Sequence, residues 1–256
     1  GKTPMNKMKI VISNDDGIEA PGINTLFDLL SENADCRMIA PLGAMSGVGH
    51  ALTYDRPFDI HELKDGHIAV DGTPADCARL ALSPGSPLLQ DWAEARRNRE
   101  IWLVSGINRG ANLGMDLYPS GTAAAAREAC LLGFNAIAIS QYIGPFRELD
   151  WNTSARRARP VLGELLANPP RKRNFWNVNL PHPVDDDLDC PVVHCDPDPS
   201  PQPARYARNS DGQFFDEANY HDRPRLPDFD IDVCFRGQIA ISEVGLHPHP
   251  TRADGP

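Results

Sequence analysis

The feature that most constrains this chain is a regular alternation of short β-type runs and helix-like runs over residues 8–140. Residues 8–13, Met-Lys-Ile-Val-Ile-Ser, are β-type and end in Asn14-Asp15-Asp16-Gly17. After Pro21-Gly22, the apolar residues Ile23, Leu26, Phe27 and Leu30 recur at helical spacing. A second strand is expected over 37–40, stopped by Pro41, and a third over 67–70. Gly72-Thr73-Pro74 then leads into a helix-like run over 75–82, with Pro74 suited to a first helical position and a structural role. Residues 101–104 read as a buried strand closed by Ser105-Gly106, and 122–132 as a helix with Gly133 just past its end. A strand over 135–140 completes the series. Strands that alternate with helices imply an α/β fold with a mostly parallel sheet covered on both faces. In such sheets ligands sit at the carboxyl ends of strands. The Asn14–Gly17 cluster, the loop of Ser46 and Ser105-Gly106-Ile107-Asn108 all follow strands, so all are expected on one rim.

The second half is organised differently. A strand is expected over 174–180, and one or two more within 231–244. Between them, residues 181–228 are rich in Pro and Asp. A structureless loop of that length is uncommon in a compact domain, so it reads as an excursion packing on a partner subunit, or as surface disorder. The expected division is a catalytic core over 1–145, then completion of that core plus an oligomerisation extension over 146–256, within a single domain.

Composition narrows the function. The net charge is −10, which argues against coating duplex nucleic acid, because no excess of Lys and Arg is present to neutralise phosphates. A small anionic substrate would need a local cation or oriented backbone N–H groups. No apolar run approaches the roughly 20 residues of a membrane span. The first eight residues lack a signal-peptide core and read as an extension ahead of Met8. Six cysteines without a Cys-x-x-Cys pair suggest reduced thiols and a cytoplasmic location. Cys190, His194 and Cys195 are a conceivable zinc set, but their spacing matches no common finger.

Asp15 and Asp16 are the strongest local signal. At a strand end that gives way to a glycine turn, both carboxylates can bend toward one point above the sheet. Buried together they would repel, and one would protonate unless a hard divalent cation lay between them. The plainer alternative is that Asp15 caps the turn and Asp16 is solvated. Ser46 offers a hard neutral oxygen in a glycine-rich loop, and Asn108 stands in the glycine-rich stretch 105–114. Two charged and two neutral oxygens suit Mg²⁺ or Mn²⁺. Ser120-Gly121-Thr122 precedes an alanine-rich run. It is either an N-cap alone or a phosphate cradle made of free N–H groups and two hydroxyls.

In this order the motifs resemble the SurE (survival protein E) family. They are Ser-Asn-Asp-Asp-Gly-Ile (13–18), Ala-Pro-Gly-Ile (20–23), Ala40-Pro41, Ser46-Gly47, Gly72-Thr73-Pro74-Ala75-Asp76-Cys77, the 105–114 stretch and Ser120-Gly121-Thr122. Asn177-Val178-Asn179-Leu180-Pro181 and the closing strand over 237–242 extend the likeness, which is dense to about residue 140 and sparser after. The resemblance implies a Rossmann-like domain with a C-terminal part exchanged between subunits of a homodimer or homotetramer. It implies a divalent-metal-dependent 5′/3′-nucleotidase acting on nucleoside monophosphates, with polyphosphate trimming in some members. It also implies Asp15, Asp16, Ser46 and Asn108 as metal ligands, with Asp15 and Asp16 catalytic. Asn14, Asn112, Ser120, Gly121 and Thr122 would line the phosphate pocket. Leu42-Gly43-Ala44-Met45 departs from the family, which carries polar, often charged residues there, while Ser46 keeps its spacing. The tail His247-Pro248-His249-Pro250 goes beyond the pattern.

The expected chemistry is in-line attack of an activated water on phosphorus, with an aspartyl-phosphate as the competing route. Other classes fit less well. A receiver domain needs an acceptor Asp after a later strand, where this chain has Ser105-Gly106-Ile107-Asn108. A haloacid-dehalogenase-type phosphatase needs Asp at i and i+2, and Gly17 stands in the slot after Asp16. A dinucleotide fingerprint is absent after the first strand. The remaining alternative is a nucleotide- or metal-binding protein without turnover.

Overall fold

The computed structural model describes residues 7–186 and 189–246. The first six residues and the His247–Pro250 tail, both singled out above, lie outside the described residues. The chain runs β1 (Lys9–Ser13), α1 (Pro21–Ser31), β2 (Asp35–Pro41), β3 (Ile60–Glu62), β4 (Ile68–Val70), α2 (Pro74–Leu82), α3 (Ala93–Arg97) and β5 (Ile101–Arg109). It continues with α4 (Gly121–Leu131), β6 (Asn135–Gln141), α5 (Trp151–Ala167), β7 (Asn174–Leu180), β8 (Val192–His194), β9 (Tyr206–Arg208), β10 (Phe214–Asp216), α6 (Asp230–Phe235) and β11 (Ile239–Gly245).

Nine strands form one sheet in the order β3-β4-β2-β1-β5-β6-β7-β11-β8. From β4 across to β7 every pairing is parallel, while β3 and β11 run antiparallel to β4 and β7. The expected α/β architecture is therefore present. Central strands are apolar on both faces, as in Ile10-Val11-Ile12, because each face is covered. Packing of α1 and α5 buries Ile23, Leu26, Val161 and Leu162 against Ile10 and Ile12. On the other face, α2 and α4 bury Cys77, Ala78, Ala81, Ala125 and Ala129 against Val11 and Leu103. The small alanines of α4 let it lie close to the sheet. Connections from β1 lead toward β2, and those from β5 toward β6, so the order reverses between β1 and β5. The carboxyl ends of these two strands flank the topological switch point, where open α/β sheets bind ligands.

Two expectations need correction. The strand expected to close at Ser105-Gly106 continues to Arg109, through a register shift against β6 between Ser105 and Asn108. That bulge re-aims the end of the strand. Within 231–244 one strand, β11, is present as expected, preceded by the short helix α6. The 181–228 excursion is neither structureless nor detached in its described part. It supplies β8 to the main sheet, forms the β9–β10 hairpin and buries Asp198 and Arg223 against its own chain. Helix α5, which the apolar pattern did not reveal, is capped by Asp150, whose carboxylate accepts from the Asn152 and Thr153 amides at 3.1 Å each. Its apolar stripe is narrow, and Pro160 within the helix is exposed.

Candidate active site

The site begins with the turn after β1. Asn14 is fully buried and holds that turn. Its Nδ2 donates to the Gly17 carbonyl at 2.8 Å, and the Gly17 amide donates to its Oδ1 at 3.2 Å. Both ends of this amide are thus engaged in shaping the loop, so Asn14 sits beside the aspartates as their scaffold. Gly17 takes φ +102°, a conformation that favours glycine. With the chain turned there, Asp15 and Asp16 leave the sheet together.

Asp15 is buried and accepts the Thr122 hydroxyl at 2.7 Å. Burial pushes its pKa up to about 6, with the neighbouring Asp16 charge adding to the rise and the Thr122 hydroxyl and amide opposing it. Asp16 is partly buried and accepts the Arg109 amide at 3.0 Å. Its pKa is also raised, by burial, against the pull of the Arg109 amide and charge. Two adjacent carboxylates that are costly to ionise are what a cation between them would relieve.

Three other segments that carry predicted residues touch this pair through the Met45 amide, the Arg109 amide and the start of α4. The Met45 amide donates to the Asp15 carbonyl at 2.7 Å, which anchors the loop carrying the exposed Ser46. Asn108, beyond the bulge of β5, donates Nδ2 to the Gly110 carbonyl at 2.8 Å. This fixes its amide, and no donor among the described residues reaches its Oδ1. Ser120 caps α4, its Oγ accepting from Ala123 at 3.0 Å. Gly121 then lets the helix start come against Asp15, since a Cβ there would lie 2.8 Å from the Asp15 Cβ. The amides of Gly121 and Thr122 belong to the first helical turn and have no intrahelical partner.

Asn112 is placed differently from its expected role. It is buried, with its amide nitrogen donating to Ser140 Oγ at 2.8 Å and its backbone N–H to Asn179 Oδ1 at 2.8 Å. Asn177 and Asn179 donate back to its carbonyl at 3.0 and 3.1 Å. This hub ties the 110–114 loop to β6 and β7. Ser140, Asn177 and Asn179 were not singled out as site residues, although Asn-x-Asn in an otherwise apolar strand is a readable sign of two amides on one face. Also unforeseen is Arg109, an exposed cation at the rim whose charge is felt by Asp16.

The donor chemistry fits a hard divalent cation. Among the described residues no group of three or more His, Cys, Asp or Glu could hold a metal, and Cys190, His194 and Cys195 form no such group. A cation at Asp15 and Asp16 would complete its shell with neutral oxygens, of the kind Ser46 and Asn108 carry. An apolar cavity of about 380 Å³, lined by Leu52, Tyr54, Phe58 and Leu80, lies along α2 and not over the aspartates. Its position does not choose the site; the chemistry at the switch point does.

Known proteins bear on this arrangement. The chain is 39% identical over 237 residues to a Synechocystis sp. protein with a provisional 5′-nucleotidase name, covering 93% of this chain and 99% of that one. It is 41% identical over 194 residues to the 5′-nucleotidase SurE of Pelobacter propionicus, covering 74% of this chain and 70% of the relative. The crystal structure of SurE protein from Aquifex aeolicus shares the fold, with a TM-score of 0.78 at 24% identity over 96% of both chains. The model of the family Survival protein SurE matches residues 10–195, and the chain belongs to that family.

Proposed function

We propose that this protein is a divalent-metal-dependent phosphomonoesterase that hydrolyses nucleoside monophosphates at the 5′ or 3′ position, with short polyphosphate as a side substrate. The observation that carries the reading is that Asp15 meets the start of α4 and Asp16 meets the end of β5, next in sequence to Asn108, at the β1/β5 switch point. The names of the curated relatives support the substrate class. Asp15, Asp16, Asn108 and Ser46 would hold one Mg²⁺ or Mn²⁺, which when bound supplies Lewis-acid stabilisation of the phosphoryl charge. The Gly121 amide at the start of α4, reinforced by the helix dipole, orients a phosphate oxygen, while the Thr122 amide stays with Asp15. Thr122 turns Asp15 and opposes the rise in its pKa through its 2.7 Å hydrogen bond. Asp16, the more accessible carboxylate, takes the proton of the attacking water. Arg109 faces the substrate's negative charge at the rim.

The same reading assigns residues 1–145 to the catalytic core and 146–256 to its completion and to an oligomerisation extension. The exposed Tyr206, Phe214 and Phe215 on the two-stranded β9–β10 hairpin support pairing with a second copy in a homodimer or homotetramer. None of the six cysteines is in a disulfide, which suits a cytoplasmic location. Among the described residues no helix is long and apolar enough to cross a membrane.

Phosphate release from a panel of nucleoside monophosphates, with Mn²⁺ or Mg²⁺ and against EDTA, tests the proposal. Metal-dependent release that falls roughly 10²–10³-fold in Asp16→Asn is expected. Nucleotide binding without release would overturn it in favour of a binding protein. The exposed Leu42, Gly43 and Ala44, apolar where the resemblance leads one to expect polar residues, are the observation that favours this second reading.

A further inference from the structure

Helix α4 carries a carboxylate that the proposed chemistry does not use. Glu128 is fully buried, and its two oxygens meet two cationic or donor side chains. Arg79 Nε donates to Oε1 at 2.7 Å, and His50 Nε2 lies 2.8 Å from Oε2. The other His50 nitrogen, Nδ1, lies 3.3 Å from an Arg127 Nη. Arginine can only donate, so Nδ1 accepts and the neutral imidazole carries its proton on Nε2, aimed at Glu128. Arg127 is itself fixed, donating to the Leu117 carbonyl at 2.8 Å. The orientation of this histidine is therefore determined from both sides.

His50 belongs to the loop that carries Ser46. That loop has no secondary structure of its own between β2 and β3, and it is fastened at a few points. Met45 is held by the Asp15 carbonyl at 2.7 Å, and the Gly49 amide by the Pro119 carbonyl at 2.9 Å. Downstream, the Ala51 carbonyl accepts the Thr73 hydroxyl at 2.7 Å, and Thr53 is gripped by Asp76 at 3.0 and 2.6 Å. Ser46 and Gly47 lie exposed between the first two fastenings. Gly47 and Gly49 both take positive φ, at +71° and +61°, so this backbone has many alternatives to reject. A single amide on Pro119 is a weak stop for such a segment. The contact of the half-buried His50 with the buried Glu128 is the side-chain anchor that follows at once.

We infer that His50, docked on Glu128, is a positioning residue that sets where the Ser46 hydroxyl stands relative to Asp15 and Asp16. The inference rests on the reading of Ser46 as a cation ligand. Partners that orient metal ligands from outside are known to matter by about 10–100-fold in affinity. His50 would act in this way through the backbone, by fixing the loop on α4, the helix whose first turn also touches Asp15.

The test is Mn²⁺ binding to the purified protein, read from the electron paramagnetic resonance of free Mn²⁺, with melting curves alongside. The proteins are wild type, His50→Ala, His50→Gln, Ser46→Ala and the His50→Ala/Ser46→Ala double variant. His50→Ala is expected to bind about tenfold more weakly. His50→Gln, whose Nε2–H can donate to Glu128, is expected within about twofold of wild type, and it serves as the informative variant should His50→Ala melt early. The double variant is expected to bind no more weakly than Ser46→Ala, because both changes remove the same ligand contact. Wild-type affinity in His50→Ala, or losses that add in full, would overturn the positioning role. Wild-type affinity in Ser46→Ala would instead overturn the ligand reading.

Discussion

Two regions of this molecule use buried aspartates, and they use them to opposite ends. At the switch point, Asp15 and Asp16 stand side by side with pKa values raised by burial, next to a helix start and the exposed Ser46. Around residues 196–230, Asp230 is equally buried and also raised to about 6, yet its oxygens are taken by the Gly114 and Asp198 amides at 2.8 Å each. Asp198 is likewise occupied by the Ser200 and Leu226 amides, and Asp116 by Arg223, Tyr220 and Gln202. A raised carboxylate pKa thus does not mark a reactive site by itself. What separates the two regions is whether the partners are internal and complete, or leave oxygens facing an open rim. The first arrangement fastens the chain; the second waits for a ligand.

If the C-terminal network is only a fastening, its loss should cost stability and spare metal binding. Arg223→Ala strips the buried partner of Asp116, held at 2.6 Å, and is expected to lower unfolding free energy by about 3–5 kcal/mol in urea titrations. Mn²⁺ affinity of the folded fraction should stay near wild type.

Acidification should move the two regions in opposite directions. For Asp230 the folded pKa is raised from 3.8 to about 6. Its contribution to stability is therefore full below about pH 4 and lost as pH rises through about 6. The advantage of wild type over Asp230→Asn in urea titrations should grow between pH 7 and pH 4, by at most about 3 kcal/mol. At Asp15, protons compete with the cation. Mn²⁺ affinity should be flat above about pH 6 and fall by up to about tenfold per pH unit below it.

A smaller steric change should reach only the rim. A Cβ at Gly121 would come within 3.1 Å of an Asp15 carboxylate oxygen. Gly121→Ala is expected to cost about 1–3 kcal/mol of stability and to weaken Mn²⁺ binding as Asp15 is displaced. The smallest effect is expected at Arg109, the exposed rim cation. Arg109→Ala should raise KM for nucleoside monophosphates several-fold, by about 1 kcal/mol, with kcat little changed.

The same contrast explains what could be read from the chain beforehand. The strand–helix alternation was legible because β1, β2 and β5 are short apolar runs bounded by Gly and Pro, and burial on both faces leaves no other choice of residues. The aspartates could be singled out because they stand directly after such a run, at the end of β1. Helix α5 was not, since a surface helix with four buried aliphatic positions and an internal Pro160 has little apolar periodicity to display. Asn112 was found as a residue, but its partners Ser140 and Asn179 lie on strands distant in sequence, so what its amide meets could not be read locally. The His50–Glu128 pair joins residues 78 positions apart, and nothing local announces it.

The measurement that bears most directly on the account is anomalous scattering from crystals of the protein grown with Mn²⁺. The account predicts one strong peak at the carboxyl ends of β1 and β5, about 2.0–2.3 Å from oxygens of Asp15, Asp16 and Asn108, with Ser46 at or next to the shell. A peak placed instead among Asp116, Asp198 and Asp230, or no ordered peak at saturating Mn²⁺, would contradict it.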